Sequence, residues 1–249
     1  MQLKLTFRFK DLILPINYNH ILHGVVTKWL GDTTYRNFIH NKGYNYEKRS
    51  FKLYTFSDLL GKCQNLGDGR IKYINNADLY IASYDEDFLK FLIKNVIFEE
   101  KLTILNIKIF IEKIETINTR IEENQVFVKT LSPVTIYSTF ITVDGKKKTL
   151  YYHPNDNEFS ELITKNLIKK YFSYHNTYPK NSSIQVKLVS KPKLKIKRYK
   201  GFIIKGWIGL FKLEGSQELI KVALDTGIGS KNSQGFGFVK EVKNAGSDL

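Results

Sequence analysis

The chain has 249 residues, of which 42% are hydrophobic, and its 39 Lys and Arg outnumber its 24 Asp and Glu, giving a net charge of +15. This length accommodates one large domain or two of about 120 residues, and the charge is typical of a protein that binds a polyanion such as nucleic acid. The single cysteine, Cys63, excludes a disulfide framework and a cysteine-rich zinc site.

No apolar run reaches the length of a transmembrane helix. The N-terminus alternates apolar and polar residues, which is not the pattern of a signal peptide. We therefore expect a cytoplasmic protein without a membrane partner.

The first half of the chain has the hydrophobic periodicity of alternating strands and helices. The predicted elements are a strand at 3–9, a helix at 19–30, a short helical piece at 33–40, strands at 51–56 and 70–83, a helix from a capping box at 83–86 to about residue 97, and a strand at 102–114. This β-α-β-β-α-β order is the ferredoxin-like arrangement.

A similar order recurs in the second half. The predicted elements are strands at 125–129 and 134–143, a hairpin turn at Asp144-Gly145, a helix capped by Asn155 or Asp156 and running to about residue 174, and strands at 183–189, 202–213, 219–224 and 236–242. Polar residues at 121–124 predict a linker. The predicted fold class is α+β, with two tandem ferredoxin-like (RRM-like) β-α-β-β-α-β domains over residues 1–122 and 123–249.

A glycine-rich segment near the C-terminus has the composition of a phosphate-binding loop. It reads Gly227-Ile-Gly229-Ser-Lys-Asn-Ser-Gln-Gly235-Phe-Gly237, and it matches neither the P-loop nor the dinucleotide-binding pattern, since a strand is predicted after it. Glycine allows a loop to turn its N–H groups toward an anion. The predicted RNA contacts are Gly227, Gly229, Lys231, Asn232, Gly235 and Gly237; the alternative is a hairpin loop between the last two strands.

Lysines alternate with apolar residues just before the predicted strand at 202–213. Lys191, Lys193, Lys195 and Lys197 are separated by Pro192, Leu194 and Ile196, and Arg198 extends the basic run. On an extended strand the lysines share one face and the apolar residues share the other. We predict that these four lysines and Arg198 follow a phosphate backbone; the alternative is a solvated edge strand.

Five segments together resemble the RAMP superfamily and, within it, the CRISPR-associated endoribonucleases that process repeat RNA. They are the glycine-rich segment, Leu14-Pro-Ile-Asn-Tyr-Asn-His, Phe51-Lys-Leu-Tyr-Thr-Phe-Ser, Thr130-Leu-Ser-Pro and Lys191-Pro-Lys. The resemblance implies two ferredoxin-like domains, with the catalytic residues in the first and the RNA-binding surface in the second. It also implies metal-independent cleavage of precursor CRISPR RNA within repeats, leaving a 2′,3′-cyclic phosphate and a 5′-OH.

The implied partner is CRISPR repeat RNA, and no cofactor is implied. Other subunits of a CRISPR effector complex are further candidate partners, and both a monomer and a homodimer remain open.

RNA cleavage by the substrate's own 2′-OH needs a base, an acid and a cation that stabilises the phosphorane. Histidine suits the proton transfers because its pKa lies near neutrality. The resemblance points to His40, which follows Asn37-Phe-Ile, as the catalytic histidine and to Lys52 as the catalytic lysine. His23 is the alternative histidine.

The sequence departs from the family at Thr27, which aligns with a tyrosine that some relatives use in catalysis. A threonine hydroxyl is a much poorer acid, and the tyrosines considered as replacements are Tyr18, Tyr35, Tyr44 and Tyr46. Two alternative functions stay open: a non-catalytic RAMP-type RNA-binding subunit of a CRISPR effector complex, and a generic RNA-binding module. No metal site is predicted, since no carboxylate accompanies His20 and His23 at a useful spacing.

Overall fold

The computed structural model describes residues 1–31, 34–99, 101–118 and 120–242. Its two principal sheets are antiparallel, and the helices pack against them. No helix in these ranges is long and apolar enough to cross a membrane.

The described residues of the first half form nine strands, three α-helices and one π-helical turn. In chain order they are β1 (Gln2–Pro15), α1 (Asn19–Lys28), α2 (Thr34–Asn37), the π-helical turn (Phe38–Lys42), β2 (Tyr44–Tyr46), β3 (Arg49–Phe51), β4 (Tyr54–Phe56), β5 (Cys63–Asn65), β6 (Arg70–Ser83), α3 (Glu86–Phe98), β7 (Thr103–Ile104), β8 (Ile107–Lys108) and β9 (Phe110–Ile117). The sheet order is β4-β6-β1-β9, with β5 also pairing with β6. This topology agrees with the predicted ferredoxin-like arrangement.

Strand β1 shows how the sequence pattern sets the register. Its alternating apolar residues, from Leu3 to Phe9, are buried, and burial resumes one residue out of phase at Leu12. The pairing with β6 shifts between Arg8 and Asp11, as a β-bulge requires. The bulge keeps both apolar runs on the core side of one long strand.

Two strands predicted in the first half are interrupted at residues with positive φ. Leu53 has a φ of 48° and separates β3 from β4 within the predicted strand 51–56, and Leu105 has a φ of 55° in the turn between β7 and β8. Left-handed conformations are unfavourable for leucine, so the sequence does not predict them at these two positions.

The capping box predicted at residues 83–86 is wrong about the capping residue, since Ser83 is not the N-cap of α3. The N-cap of α3 is Asp85, whose side chain accepts from the N–H of Asp87. Ser83 instead accepts from the N–H of Asp85 through its side chain. Thr33, the predicted start of the short helical piece, lies outside the described residues.

In the second half, the part of the chain up to residue 242 that the structure describes forms eight strands, two α-helices and one 3₁₀ turn. In chain order they are β10 (Gln125–Thr130), β11 (Tyr137–Ile141), β12 (Lys147–Tyr151), α4 (Asn157–His175), β13 (Ile184–Leu188), β14 (Lys193–Tyr199), β15 (Phe202–Ile208), β16 (Leu210–Gly215), α5 (Gln217–Thr226), the 3₁₀ turn (Asn232–Gln234) and β17 (Val239–Glu241). The sheet order is β13-β16-β10-β17. It repeats the relative order of the first sheet.

The strand predicted at residues 219–224 is wrong, because this segment lies in helix α5. Ser216 caps the helix, and its side chain accepts from the N–H of Leu219. Residues 219, 220 and 222–224 are fully buried, since α5 lies between its own sheet and strands β4 and β6 of the first half. Residues 219–224 contain a single polar residue, Lys221, and a short apolar run of this kind cannot be distinguished from a buried strand by its periodicity.

Two other predicted strands in the second half are shorter than expected. The predicted strand 202–213 is divided at Gly209 into β15 and β16. Within the predicted strand 134–143, the named strand is the shorter β11. β14 and β15 form a separate two-stranded ribbon, as do β11 and β12.

The core forms two large hydrophobic clusters, one from residues 3–109 and the other from residues 126–239. The predicted domain boundary at residues 122 and 123 falls between them and stays a prediction. Hydrogen bonds join the halves: Gln2 donates to the carbonyls of Leu224 and Val239, and Thr55 donates to that of Phe236. These contacts fix the glycine-rich segment beside strand β4.

Candidate nucleic-acid interface

One cleft brings Lys52 of the first half together with the glycine-rich segment of the second. Its volume is about 280 Å³, and the described residues that line it include no carboxylate. Its polar and aromatic lining includes the side chains of Lys52, Tyr137, Asn166, Lys170, Lys231 and Gln234. Three lysines without a neighbouring acid make this cleft suitable for an anionic ligand.

Lys52 lies at the break between β3 and β4, and burial lowers the pKa of its ammonium group. The next residue, Leu53, holds its positive φ because its carbonyl accepts from the hydroxyl of Ser83 (3.2 Å) and the N–H of Tyr84 (3.1 Å). Strained backbone of this kind persists only where surrounding contacts fix it. Those two bonds therefore orient the Lys52 segment toward the cleft.

Two glycines of the loop are required by close packing and leave no N–H group for a ligand. An added Cβ at Gly235 would lie 2.4 Å from the Phe56 ring, and one at Gly237 would lie 1.9 Å from the Ile228 carbonyl oxygen. Their N–H groups already donate to Asn232 and Pro133. Gly235 and Gly237 therefore shape the loop, and we no longer assign them an RNA contact.

Asn232 and Lys170 fix the loop from its buried side. The Asn232 amide donates to the carbonyls of Ile228 (3.1 Å) and Phe236 (3.0 Å). The Lys170 ammonium donates to the Asn232 side chain (2.7 Å) and the Gly227 carbonyl (2.8 Å). Burial lowers the pKa of Lys170 to about 7. The Asn232 side chain thus has an internal role, and the sequence had not indicated Lys170 at all.

The outer part of the loop presents main-chain donors to the cleft. Lys231 is left-handed (φ 61°, ψ 31°) and precedes the 3₁₀ turn, and its ammonium lies 5.4 Å from the centre of the Tyr137 ring. The N–H groups of Lys231, Asn232 and Ser233 have no acceptor among the described residues. Successive N–H groups around a left-handed residue form a concavity that binds anions. Gly229 and Lys231, the predicted phosphate contacts, both line the cleft, and their contact with a phosphate stays a prediction.

His40 lies outside the cleft, in the exposed π-helical turn, where its Nδ1 is 2.8 Å from the Asn41 side-chain oxygen. His23 on α1 is half-buried, and its Nδ1 lies 2.8 Å from the Tyr199 hydroxyl. Burial lowers the pKa of His23, and the charges of Lys200 and His40 lower it further. The fold therefore brings the two candidate histidines within electrostatic range, while His40 and Lys52 form no direct hydrogen bond.

Thr27 is buried and donates to the His23 carbonyl at 2.7 Å, so it is not placed to protonate a substrate. Three of the four tyrosines considered as replacements are also engaged internally. Tyr35 (2.5 Å) and Tyr44 donate to the Asp85 carboxylate, and Tyr18 pairs with the hydroxyl of Tyr73. Burial, and then Asp85, raises the pKa of both Tyr35 and Tyr44.

The hydroxyl of Tyr46, the fourth tyrosine considered, lies 3.2 Å from the Tyr178 hydroxyl. The described tyrosine that contacts a candidate catalytic histidine is Tyr199. No local sequence pattern points to Tyr199, since 176 residues separate it from His23.

The lysine-rich strand is β14, and its two faces are arranged differently from the prediction. Leu194 and Ile196 are 43% and 58% exposed rather than packed inward. On the lysine face, Lys197 is 12% exposed; it donates to Asn19 at 2.9 Å and forms an ion pair with Asp58. The lysine face turns inward at this end because Lys197 and Tyr199 pack against α1 and its surroundings.

The accessible cations of this segment are Lys191, Lys193, Lys195 and Arg198, all exposed. Lys197 serves the contact between the halves. In the described parts of the chain, no group of three His, Cys, Asp or Glu residues is arranged to hold a metal ion.

Comparison with known proteins gives a consistent assignment. A family model described as "CRISPR associated protein Cas6, C-terminal" matches residues 112–241. The "CRISPR-associated endoribonuclease Cas6 1" of Methanocaldococcus jannaschii is 28% identical over 236 residues, covering 93% of this chain and 89% of the relative.

Two solved structures have the same overall fold. One, described as "CRISPR associated protein Cas6", has a TM-score of 0.79 at 28% identity and covers 98% of this chain and 99% of its own. The other, described as "An RAMP protein binding different RNA substrates", has a TM-score of 0.81 at 22% identity and covers 98% of this chain and 100% of its own.

Proposed function

The chain belongs to the Cas6 family of CRISPR-associated proteins, and on that premise we propose that it is an endoribonuclease that cuts precursor CRISPR RNA within its repeats. The observation that supports the proposal is the cleft that Lys52 lines together with Lys231 and the free N–H groups of the glycine-rich loop. Lysines and main-chain donors in one cleft suit a bound phosphodiester. The Methanocaldococcus jannaschii relative named as an endoribonuclease supports the same assignment.

The proposed reaction is intramolecular transesterification without a metal ion. The 2′-oxygen attacks the adjacent phosphorus, the bond from phosphorus to the 5′-oxygen breaks, and the products carry a 2′,3′-cyclic phosphate and a 5′-OH. One group removes the 2′-OH proton and another donates a proton to the leaving 5′-oxygen. The protein supplies proton transfer and charge stabilisation, and the RNA supplies the nucleophile.

His40 is the proposed acid or base, because it is an exposed histidine on a segment that leads directly into the strands before Lys52. His23 is the alternative histidine, with the Tyr199 hydroxyl fixing its ring through Nδ1. Lys52 is proposed to stabilise the negative charge of the phosphorane. Its position in the cleft supports that role.

RNA outside the cleft is proposed to contact the accessible cations of the β14 segment. Lys191, Lys193, Lys195 and Arg198 are exposed and available to phosphates. Lys197 is left out of this surface because Asp58 neutralises it.

A second candidate function is a non-catalytic RNA-binding subunit of a CRISPR effector complex. Thr27 favours it, because the residue aligned with a catalytic tyrosine of some relatives is buried and bonded to the main chain of its own helix.

Incubation of the purified protein with end-labelled CRISPR repeat RNA in excess EDTA separates the two functions. We expect cleavage at one position, and phosphatase and kinase treatment of the products will identify their ends. A cyclic phosphate and a 5′-OH support the endoribonuclease. Tight binding without cleavage supports the non-catalytic subunit instead, and cleavage that requires a divalent cation contradicts the proposed chemistry.

A further inference from the structure

A single carboxylate is bonded to both ends of the segment that carries His40. Tyr35 on α2 and Tyr44 on β2 lie on either side of the π-helical turn, and both hydroxyls donate to the same oxygen of Asp85, Oδ2. The bond from Tyr35 measures 2.5 Å. Hydrogen bonds to a charged acceptor are the stronger ones in proteins. The chain between the two tyrosines is therefore tied at both ends to one point.

Asp85 is itself fixed by helix α3. It is the N-cap of that helix and is 8% exposed, and its other oxygen, Oδ1, accepts from the N–H of Asp87 at 3.0 Å. The helix is anchored in the core of the first half by Phe88, Leu89 and Leu92, which are fully buried. One carboxylate therefore links a buried helix to the segment of His40.

The rings of the two tyrosines add packing to these hydrogen bonds. Phe38, the first residue of the turn, lies edge-on to the Tyr44 ring with the ring centres 5.2 Å apart, and its centre is 6.3 Å from that of Tyr35. The Tyr35 ring stacks on Phe91 of α3 at 5.0 Å. Phenylalanine in place of either tyrosine keeps the ring and removes the hydroxyl, so the hydrogen bonds can be tested separately from the packing.

The turn has little burial of its own to fix its shape. Ile39 is buried, whereas the three residues after it, including His40, are exposed. The turn is closed by the N–H of Gly43, which donates to the Phe38 carbonyl at 2.8 Å. Such single π-helical turns are rare and occur frequently at functional sites. The position of His40 therefore depends on the contacts at the two ends of the turn.

We propose that Asp85 is a positioning residue for RNA cleavage, which acts through Tyr35 and Tyr44 to hold His40 in its reactive position. This inference rests on the proposed function, because it takes His40 as the acid or base of cleavage. Catalytic groups must be held within about 0.5 Å of the productive geometry, and a misplacement of about 1 Å can slow a reaction by about 10²-fold. Release of the turn therefore lowers the cleavage rate.

The test compares cleavage and RNA affinity in Asp85→Asn. Asparagine caps a helix as well as aspartate does, but its NH₂ group replaces one of the two acceptor oxygens, so the cap and both hydroxyl bonds cannot be kept together. We expect single-turnover cleavage of repeat RNA to slow by about 10- to 100-fold and the RNA affinity to stay within about twofold. An unchanged rate, or a loss of affinity equal to the loss of rate, overturns the proposal.

Asp87→Asn is the matched control. It removes the same charge two residues later on the same helix, where the side chain is 62% exposed and pairs with Lys90. Its backbone N–H, which donates to Asp85, is kept. Asp87→Asn should cleave at the wild-type rate, and an equal loss of rate in both variants would assign the effect to charge and contradict the proposal.

Combination with His40→Ala distinguishes positioning from a general effect on folding. A residue that acts through His40 has nothing left to position in His40→Ala, so Asp85→Asn should not slow the residual cleavage of that variant further. A merely structural role would slow both backgrounds by the same factor, which would contradict the proposal. Tyr35→Phe and Tyr44→Phe together should reproduce the loss in Asp85→Asn, and a wild-type rate in that double variant would also overturn it.

Hydrogen exchange at the Gly43 amide supplies a readout that needs no cleavage. This amide closes the turn, so its exchange rate reports local opening. Asp85→Asn should raise that rate by about 10-fold or more, the value of a hydrogen bond to a charged group, while the amides of strand β1 exchange as in the wild type. An unchanged rate at Gly43 overturns the proposal. If the wild-type protein cuts no repeat RNA, the proposed function is refuted, and the exchange rates alone decide whether Asp85 holds the turn.

Discussion

Asn19 couples the first half of the protein to the glycine-rich loop of the second, and its replacement tests that coupling. It is the first residue of α1 and is 2% exposed. Its amide donates to the carbonyls of Gly235 (2.9 Å) and Gln234 (3.3 Å), and its oxygen accepts from the Lys197 ammonium (2.9 Å). One side chain therefore joins α1, the glycine-rich loop and strand β14.

The expected loss in the free energy of unfolding for Asn19→Ala follows from the groups that lose a hydrogen bond to Asn19. The buried Gly235 carbonyl loses its short bond, at about 1–3 kcal/mol, and Lys197 loses one charge-assisted bond while keeping Asp58. The longer bond to Gln234 adds little. The sum is about 3 kcal/mol, which lowers the melting temperature of a protein of this size by about 6–12 °C.

The assay is thermal unfolding together with the affinity for repeat RNA, and RNA binding should weaken because the loop loses its fixed position. His20→Ala is the matched control. It changes the next residue of the same helix, which is exposed and contacts only the Asn17 carbonyl. A loss below about 0.5 kcal/mol, the usual range of surface substitutions, would refute the reasoning, as would an equal loss in the His20→Ala control.

Three further predictions concern catalysis and RNA binding. His40→Ala should slow single-turnover cleavage by about 10²–10⁴-fold and leave RNA affinity within twofold, and an equal loss in both would indicate a binding role. Burial lowers the pKa of Lys52, and stabilisation of the phosphorane requires the protonated form, so the cleavage rate should begin to fall below pH 10.5 as the pH is raised. Lys52→Arg, which stays protonated, should move that fall to higher pH. An unchanged pH profile in this variant would exclude Lys52 as the group that stabilises the phosphorane. Replacing Lys191, Lys193 and Lys195 together with Gln should reduce the slope of log affinity against log salt by about 2, and an unchanged slope would remove these lysines from the RNA surface.

The alternating and helical patterns of the sequence were sufficient to predict the fold class and most of the elements, with the exception of helix α5. Strand β6 and helix α1 follow directly from their apolar periodicity. Helix α5 was missed because its central segment, residues 219–224, is almost entirely apolar and resembles a buried strand, while its polar residues Gln217, Glu218 and Asp225 lie outside that segment. The kinks at Leu53 and Leu105 were missed because the contacts that hold them come from the folded chain.

The candidate site could be predicted in part. The glycine-rich segment and Lys52 were identified from short motifs, and they line one cleft. The exposure of each lysine could not be predicted, because the partner of Lys197 is Asp58, 139 residues away. Asn166 lies on an ordinary helix face, and nothing in its local sequence distinguishes it.

The central claim is that the RNA's own 2′-OH is the nucleophile. The most direct measurement compares cleavage of a repeat RNA with cleavage of the same RNA carrying a single 2′-deoxynucleotide at the cut site, both in EDTA. We expect the all-ribose RNA to be cut, while the deoxy-substituted RNA is bound with similar affinity and stays intact. Cleavage of the deoxy-substituted RNA at the same position would contradict it, because the nucleophile would then have to come from elsewhere.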